Sequence, residues 1–304
     1  MATSSSLRSA ARLVFPFSKT FRSRSAITRQ PLWFKGHAGA AGGAWLLSVP
    51  AVCYLGGELY RRLHKAATVY ALSPVEEVLE QADYLYSSGE TEKLHQLLLQ
   101  YKNSDDAECL WRLARACRDL ALMSHVGAEQ KKQLTYESLE YASLALEKNE
   151  ACFAAHKWYA VCLSDIGDYE GVKVKIGNSY IIKEHLERAV ELNPKDATSF
   201  HILGYWCYAF AELPWYQRKV AAMIFASPPS ATFEEALAFF QKAEEVDPNF
   251  YSKNLLMMGK TYMNMKDNDN AVAWLTRARD YVPKTEEDKE VHKEAVDLLK
   301  KFKV

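Results

Sequence analysis

From Glu76 to the C-terminus, apolar residues recur every three to four positions between short polar turns, and no stretch alternates as a strand would. The spacing predicts helices, and the helices come in pairs. In the second helix of each pair a set repeats at offsets 0, 4, 7 and 12. It reads Ala236/Phe240/Ala243/Pro248, Ala271/Leu275/Ala278/Pro283 and Ile182/Leu186/Ala189/Pro194, with Ser138/Ala142/Ala145/Glu150 as a variant lacking the proline. In the first helix an apolar residue precedes a small one by four and another residue follows three later. Those sets are Leu110/Ala114/Cys117, His156/Ala160/Leu163, Phe200/Gly204/Cys207 and Leu255/Gly259/Tyr262. Ala or Gly at the crossing lets two helices approach closely while larger residues fill the groove between them, and proline ends the second helix.

A period near 34 residues is the signature of a stacked repeat, and this spelling resembles the tetratricopeptide repeat. The expected fold class is all-α: a tetratricopeptide-repeat-like helical solenoid over residues 76–304, with enlarged inter-helix insertions. The last full repeat has regular spacing. Ten extra residues separate the helices of the unit holding Ala160, where LSDIGDYEG places a Gly-Asp-Tyr turn at Gly167, Asp168 and Tyr169. Gly204 to Ala236 carries twenty more than Gly259 to Ala271, and LPWYQRKVAAMIFASPPSA is that excess. EEVLEQADYLYSSGETEKLHQLLLQ reads as an earlier helix pair around Gly89, keeping only Ala82 of the signature. Residues 286–302 read as the solubilising end helix that such stacks need.

The apolar run Val220 to Ala226 is too short to span a bilayer. It reads as an amphipathic helix with Tyr216, Val220, Met223, Ile224 and Ser227 on the face packed against the stack, and Gln217, Arg218, Ala221 and Ala222 off it. Pro228 and Pro229 stop it, and Ser230 or Thr232 would cap the helix beginning FEEAL.

The 304 residues are 49% apolar and formally neutral, but the charge is divided. Residues 1–57 hold seven cations (Arg8, Arg12, Lys19, Arg22, Arg24, Arg29, Lys35) and no acid; the remainder sets 31 cations against 38 carboxylates, a formal charge of −7. An acidic body argues against nonspecific nucleic-acid binding. Two readings of the Arg- and Ser-rich leader stand: a mitochondrial targeting segment or a disordered basic tail. Residues 38–57 carry no charge but are mostly Gly and Ala, broken by Pro50, so a weak membrane anchor and a flexible linker both fit; 58–75 read as linker.

The six cysteines show no CxxC pair and fall mostly inside helical patterns, as small hydrophobes in a reducing compartment do. No phosphate-cradling Gly loop, HExxH, GxSxG or dinucleotide fingerprint occurs. His156 sits at a helix-packing position. The expectation is no catalytic residue, no metal and no cofactor: not an enzyme.

Repeat stacks bind along the face lined by their first helices. Counting three before, one after and four after each crossing residue gives Trp111, Arg115 and Arg118; Lys157, Val161 and Ser164; His201, Tyr205 and Tyr208; Leu256, Lys260 and Met263. The candidate groove residues are therefore Trp111, Arg115, Arg118, Lys157, His201, Tyr205, Tyr208 and Lys260, four cations and three aromatics with no carboxylate, and Arg112 points away. Arg and Tyr suit a carboxylate-bearing ligand. The competing reading has the aromatics packing the insertions and the cations pairing with Asp and Glu across repeats. The asparagine-rich clamp of chaperone-binding repeats is missing, since Val161, Tyr205 and Lys260 occupy its row.

QADYLYSSGETEKLHQLL, HKWYAVCLSDIGDYEG, YIIKEHLERAVELNPKDAT, ELPWYQRK and VDPNFYSKNLLMMGKTY together resemble the regulator of microtubule dynamics family over about residues 70–300. The resemblance implies a non-enzymatic, microtubule-associated scaffold of the cytoplasm, cytoskeleton, spindle and spindle pole, with some members tied to mitochondrial membranes. The implied partners are microtubules or tubulin, directly or through an adaptor, and proteins bound in the groove; membrane contact would run through the leader. Tubulin's exposed tails are acidic, so an acidic body needs a locally basic groove, or the basic leader, to approach them. The alternative is a lipid or apolar-ligand carrier whose cavity Val220, Met223, Ile224 and Phe225 would line.

Overall fold

The computed structural model describes residues 74–225 and 228–302. The leader, the 38–57 segment and residues 58–73 of the linker expected over 58–75 lie outside the described residues, as does Ser227; residues 74 and 75 are already helical. Twelve α-helices are described: α1 (Pro74–Ser88), α2 (Thr91–Leu99), α3 (Ala107–Ala121), α4 (Ala128–Lys148), α5 (Phe153–Glu170), α6 (Val172–Leu192), α7 (Ala197–Ala211), α8 (Trp215–Ile224), α9 (Phe233–Val246), α10 (Ser252–Asn264), α11 (Asn268–Asp280) and α12 (Glu286–Leu299). A 3-10 turn, Lys300–Phe302, follows. No strand occurs among the described residues. Packing groups the chain from Ala82 onward into one unit; α1 before Ala82 belongs to a separate unit and is described only as helix.

Helix ends follow local chemistry. Asp106, Asp196 and Asp267 cap α3, α7 and α11 by accepting from backbone N–H groups in the first turn. Thr232 and Thr285 form reciprocal capping boxes with Glu235 and Asp288, so of the two caps expected for α9 it is Thr232 that serves. Pro194, Pro248 and Pro283 stand just beyond α6, α9 and α11.

The pairs are α3/α4, α5/α6, α7/α9 and α10/α11, each packed along its length, with α12 closing the stack on α11 and α10. Every second-helix signature position except the terminal Pro or Glu is buried: Ser138, Ala142, Ala145, Ile182, Leu186, Ala189, Ala236, Phe240, Ala243, Ala271, Leu275 and Ala278. A methyl group at Gly204 would sit 2.8 Å from the Phe240 ring, and one at Gly259 would sit 2.7 Å from Leu275 Cγ. Both glycines are therefore required by closeness of approach, as the spacing implied.

The core runs as a chain of overlapping clusters. One joins Ala82, Leu94, Leu98, Leu113 and Leu134; the largest runs from Leu110 through Trp158, Leu186, Trp206 and Phe240 to Met258; a third joins Leu255, Leu275, Val291 and Leu299. Each repeat thus buries its apolar face against its neighbours, the physical meaning of a quasi-one-dimensional fold.

Two local expectations are corrected. Gly167–Tyr169 is not a turn: α5 continues to Glu170, and the chain reverses at Gly171, whose φ of +87° favours glycine. The ten extra residues lengthen both helices, to 18 in α5 and 21 in α6 against 13 each in α10 and α11, which moves the turn outward. Gly167 instead packs beneath the stem of Lys175. The long insertion does form a helix, α8, but Tyr216 and Met223 of the expected packed face do not pack. Ala221 is buried, whereas Met223 is 78% exposed and Tyr216 also faces solvent. Arg218 turns back onto the end of α7, donating to the carbonyls of Leu213 and Ala211. No helix among the described residues is long and apolar enough to cross a membrane.

Candidate functional site: a polar seam along the first helices

The first helices α3, α5, α7 and α10 carry all eight candidate groove residues, and packing sets α3 on α5, α7 on α10 and α10 on α12. Where these helices meet, a polar bond joins each to the next. Arg112 of α3 holds Asp83 of α1 in a two-bond fork, Nε to Oδ1 at 2.9 Å and Nη2 to Oδ2 at 2.8 Å. Arg118 of α3 reaches Asp165 of α5 at 2.6 Å. Lys157 of α5 reaches Asp196, the cap of α7, at 2.9 Å. Between α7 and α10, His201 bonds Asn254 at 2.9 Å and Tyr208 accepts from the Asn264 amide at 2.9 Å. Lys260 of α10 pairs with Glu294 of α12 at 2.9 Å.

Five candidate residues (Arg118, Lys157, His201, Tyr208, Lys260) are therefore tied across repeats. The expectation of a carboxylate-free row is corrected: Asp83, Asp119, Asp165 and Glu294 stand among the cations. The offset rule missed Asp119 and Asp165 because both lie five residues past their crossing residue, one position beyond the counted set. Arg112, expected to point away, shares Asp83 with Arg115, whose Nη2 lies 3.8 Å from Oδ1.

Burial sets the electrostatics. It would lower the Arg118 pKa, but Asp165 and Asp119 more than offset it and hold the guanidinium charged. Burial pushes the Asp119 carboxyl up to about 6, against the pull of Arg118 and Arg115. The Tyr205 and Tyr208 hydroxyls are raised by burial and by Glu212. Trp111 is buried, donates its indole N–H to Glu108 at 2.9 Å and lies under the Arg112 guanidinium at 4.2 Å. Tyr205 is half-buried, and Lys260 is the most exposed of the four cations.

His201 is enclosed by Phe240, Phe250 and Tyr251. Because the Asn254 amide donates to the Phe240 carbonyl, its oxygen faces His201, so the imidazole carries its proton on Nδ1. Burial lowers its pKa from 6.5 to about 4. The neutral ring is the folded form, so its contribution is complete above pH 6.5 and is lost as pH falls toward 4. Stability should drop by about 2 kcal/mol between pH 6.5 and 5.0 from this residue. Denaturant titrations of wild type and His201→Gln at both pH values check this, the variant lacking that share of the slope.

Among the described residues no group of three His, Cys, Asp or Glu could hold a metal ion. The described cysteines are buried and free, Cys162 held up at about 12 by burial. His156 is packed, bonded to the Glu150 carbonyl and to His185. What the site shows is a seam of paired charges and buried rings joining neighbouring repeats.

The sequence pattern described as "Regulator of microtubule dynamics protein 1-3" matches residues 78–303, the whole of the stack. The chain belongs to the regulator of microtubule dynamics family. It is 63% identical over 256 residues to Regulator of microtubule dynamics protein 1 of Pongo abelii, spanning 84% of this chain and 82% of the relative. It is 62% identical to the Homo sapiens protein of that name over the same shares. To Regulator of microtubule dynamics protein 3 of Xenopus laevis it is 38% identical, over 74% of this chain and 50% of the relative. In three dimensions it is similar to a thermophilic TPR protein of Thermus thermophilus, with TM-score 0.52 and 16% identity, over 73% of this chain and 98% of that one. The likeness shows the fold: this regulator of microtubule dynamics family member is a TPR-like helical stack.

Proposed function

We propose that this chain is a non-enzymatic scaffold that acts on microtubule dynamics and takes an acidic, extended peptide along the face lined by α3, α5, α7 and α10. Family membership across nearly the whole described stack carries the reading, since the relatives matched over four-fifths of their length are named for that role. The peptide is a tubulin tail or an adaptor's acidic segment. On this reading the protein works in the cytoplasm and on the cytoskeleton and spindle, the basic leader adding a mitochondrial address.

Electrostatics makes the face specific. A body of formal charge −7 is repelled at long range by an acidic polymer, so attachment relies on local cations, of which Lys260 is the most open. The apolar-carrier alternative loses support at Met223, which faces solvent instead of an interior.

Co-sedimentation with microtubules, intact or stripped of their acidic tails, tests the proposal. Lys260→Glu should weaken binding to intact microtubules about fivefold, as an exposed charge contact worth about 1 kcal/mol would. The swap Lys260→Glu with Glu294→Lys restores the pair across α10 and α12, so its binding separates stack integrity from charge placement. Equal binding by wild type and both variants, or indifference to the tails, would rule the face out.

A further inference from the structure

Arg115 is not among the five candidates bonded across repeats. Arg115 is 5% exposed, yet its Nε and Nη2 have no hydrogen-bond partner. The nearest carboxylate oxygen, Asp83 Oδ1, is 3.8 Å from Nη2, beyond hydrogen-bond range. Asp83 is engaged by the same pair of atoms on Arg112, three residues earlier, in the two-bond geometry that matches a carboxylate. Burial lowers the Arg115 pKa, against the opposing pull of Tyr86, Asp119 and Asp83.

The surroundings select how a partner would arrive. The Tyr86 ring lies 3.5 Å from the guanidinium carbon, with Trp111 at 5.0 Å and Trp158 at 6.0 Å. Stacking occupies the flat side of the group and leaves the edge carrying Nε–H and Nη2–H as the unspent donors. Those two N–H bonds point the same way, parallel, which fits the two oxygens of one carboxylate. Arg112, Arg115 and Arg118 are already faced by Asp83, Glu108, Asp119 and Asp165. Like-charge repulsion from these acids admits a single negative charge far more readily than a doubly charged phosphate.

We infer that the Nε/Nη2 edge of Arg115, walled by Tyr86, Trp111 and Trp158, is the receptor for one carboxylate of a bound peptide. The inference rests on the peptide-face reading above and sharpens it, because it makes one residue the anchor and a carboxylate its ligand. Asp83 and Tyr86 both stand on the last turns of α1, so the end of that helix is the part of the wall that a peptide must pass.

The test uses the full chain, labelled with nitrogen-15, and three ten-residue blocked peptides: oligoglutamate, oligoglutamine and a phosphoserine-rich analogue. Oligoglutamate should shift the Arg115 Nε–H resonance of wild type and bind at least tenfold more weakly to Arg115→Lys, which keeps the charge but loses the fork. The resonance shift reads the site in unaltered protein, so it decides the matter even where Arg115→Lys folds poorly. An unmoved Arg115 resonance on saturation, equal affinity in a folded Arg115→Lys, or tighter binding of the phosphoserine peptide would overturn the inference while leaving the peptide face standing. Wild type binding none of the three would overturn both.

Discussion

Replacing Gly259 with leucine should destabilise the stack by about 3 kcal/mol or more, because α10 and α11 touch there with no room for a side chain. A Cβ at this position would lie 2.7 Å and 2.8 Å from Leu275 Cγ and Cδ2, and 3.1 Å from the Leu275 backbone nitrogen. The side chain can rotate away, but the backbone nitrogen cannot, so the helices must separate. Gly259→Ala should cost less, since about 1 kcal/mol of helix propensity offsets part of the clash. Gly177, inside α6 with nothing within 4 Å of its Cβ direction, supplies the contrast: Gly177→Ala should stabilise by about 0.5–1 kcal/mol. Urea midpoints of the three variants check the order. Leu275→Ala in the Gly259→Leu background should recover part of the loss, because it vacates the space that the new side chain needs.

Removing Arg118 should cost a comparable or larger amount, about 3–5 kcal/mol for Arg118→Met, by stranding Asp165 and Asp119 inside the seam. The penalty arises from the orphaned carboxylates, so it has two signatures. Arg118→Met with Asp165→Leu should regain most of the stability, as apolar replacements of buried pairs do. Acidification should also rescue the single variant, since a buried carboxyl without its cation has a raised pKa. Its proton-bound form is stable below its unfolded pKa of 3.8, and stability falls as pH rises through the raised folded value. Thermal melts of single and double variants between pH 4 and 8 would read both effects. A pH-independent loss in Arg118→Met would mean that packing, not charge, is what the arginine supplies. Charge reversal at Arg118 is consequently a poor probe of binding, because it would unfold the region where a ligand is sought.

Much of the repeat was legible because its cause is local. A helix crossing demands a small residue, and the periodicity of a single helix marks that residue at Ala114, Ala160, Gly204 and Gly259. The end helix and the Thr232 cap follow from equally local chemistry. The seam was only half legible. One side, Arg118, Lys157, His201, Tyr208 and Lys260, falls where helical spacing puts it, but the other comes from the neighbouring repeat. Asp83, Asp165, Asn254 and Glu294 meet their partners through a stagger between repeats that no single helix encodes. The face of α8 was hidden for a similar reason. Apolar periodicity pointed Met223 inward, but Ala221 is the buried residue, and Arg218 spends its donors on carbonyls at the end of α7, a contact that lies outside α8 itself.

On the proposed reading the same residues serve two ends, holding neighbouring repeats together and presenting charge along one face. Zero-length carboxylate-to-lysine crosslinking of the full chain on microtubules, read by mass spectrometry, tests that account most directly. It predicts tubulin-tail carboxylates joined to lysines of α5 and α10, Lys260 first among them, with few on α4, α6, α9 and α11. Crosslinks confined to those second helices, or to the basic leader alone, would contradict it.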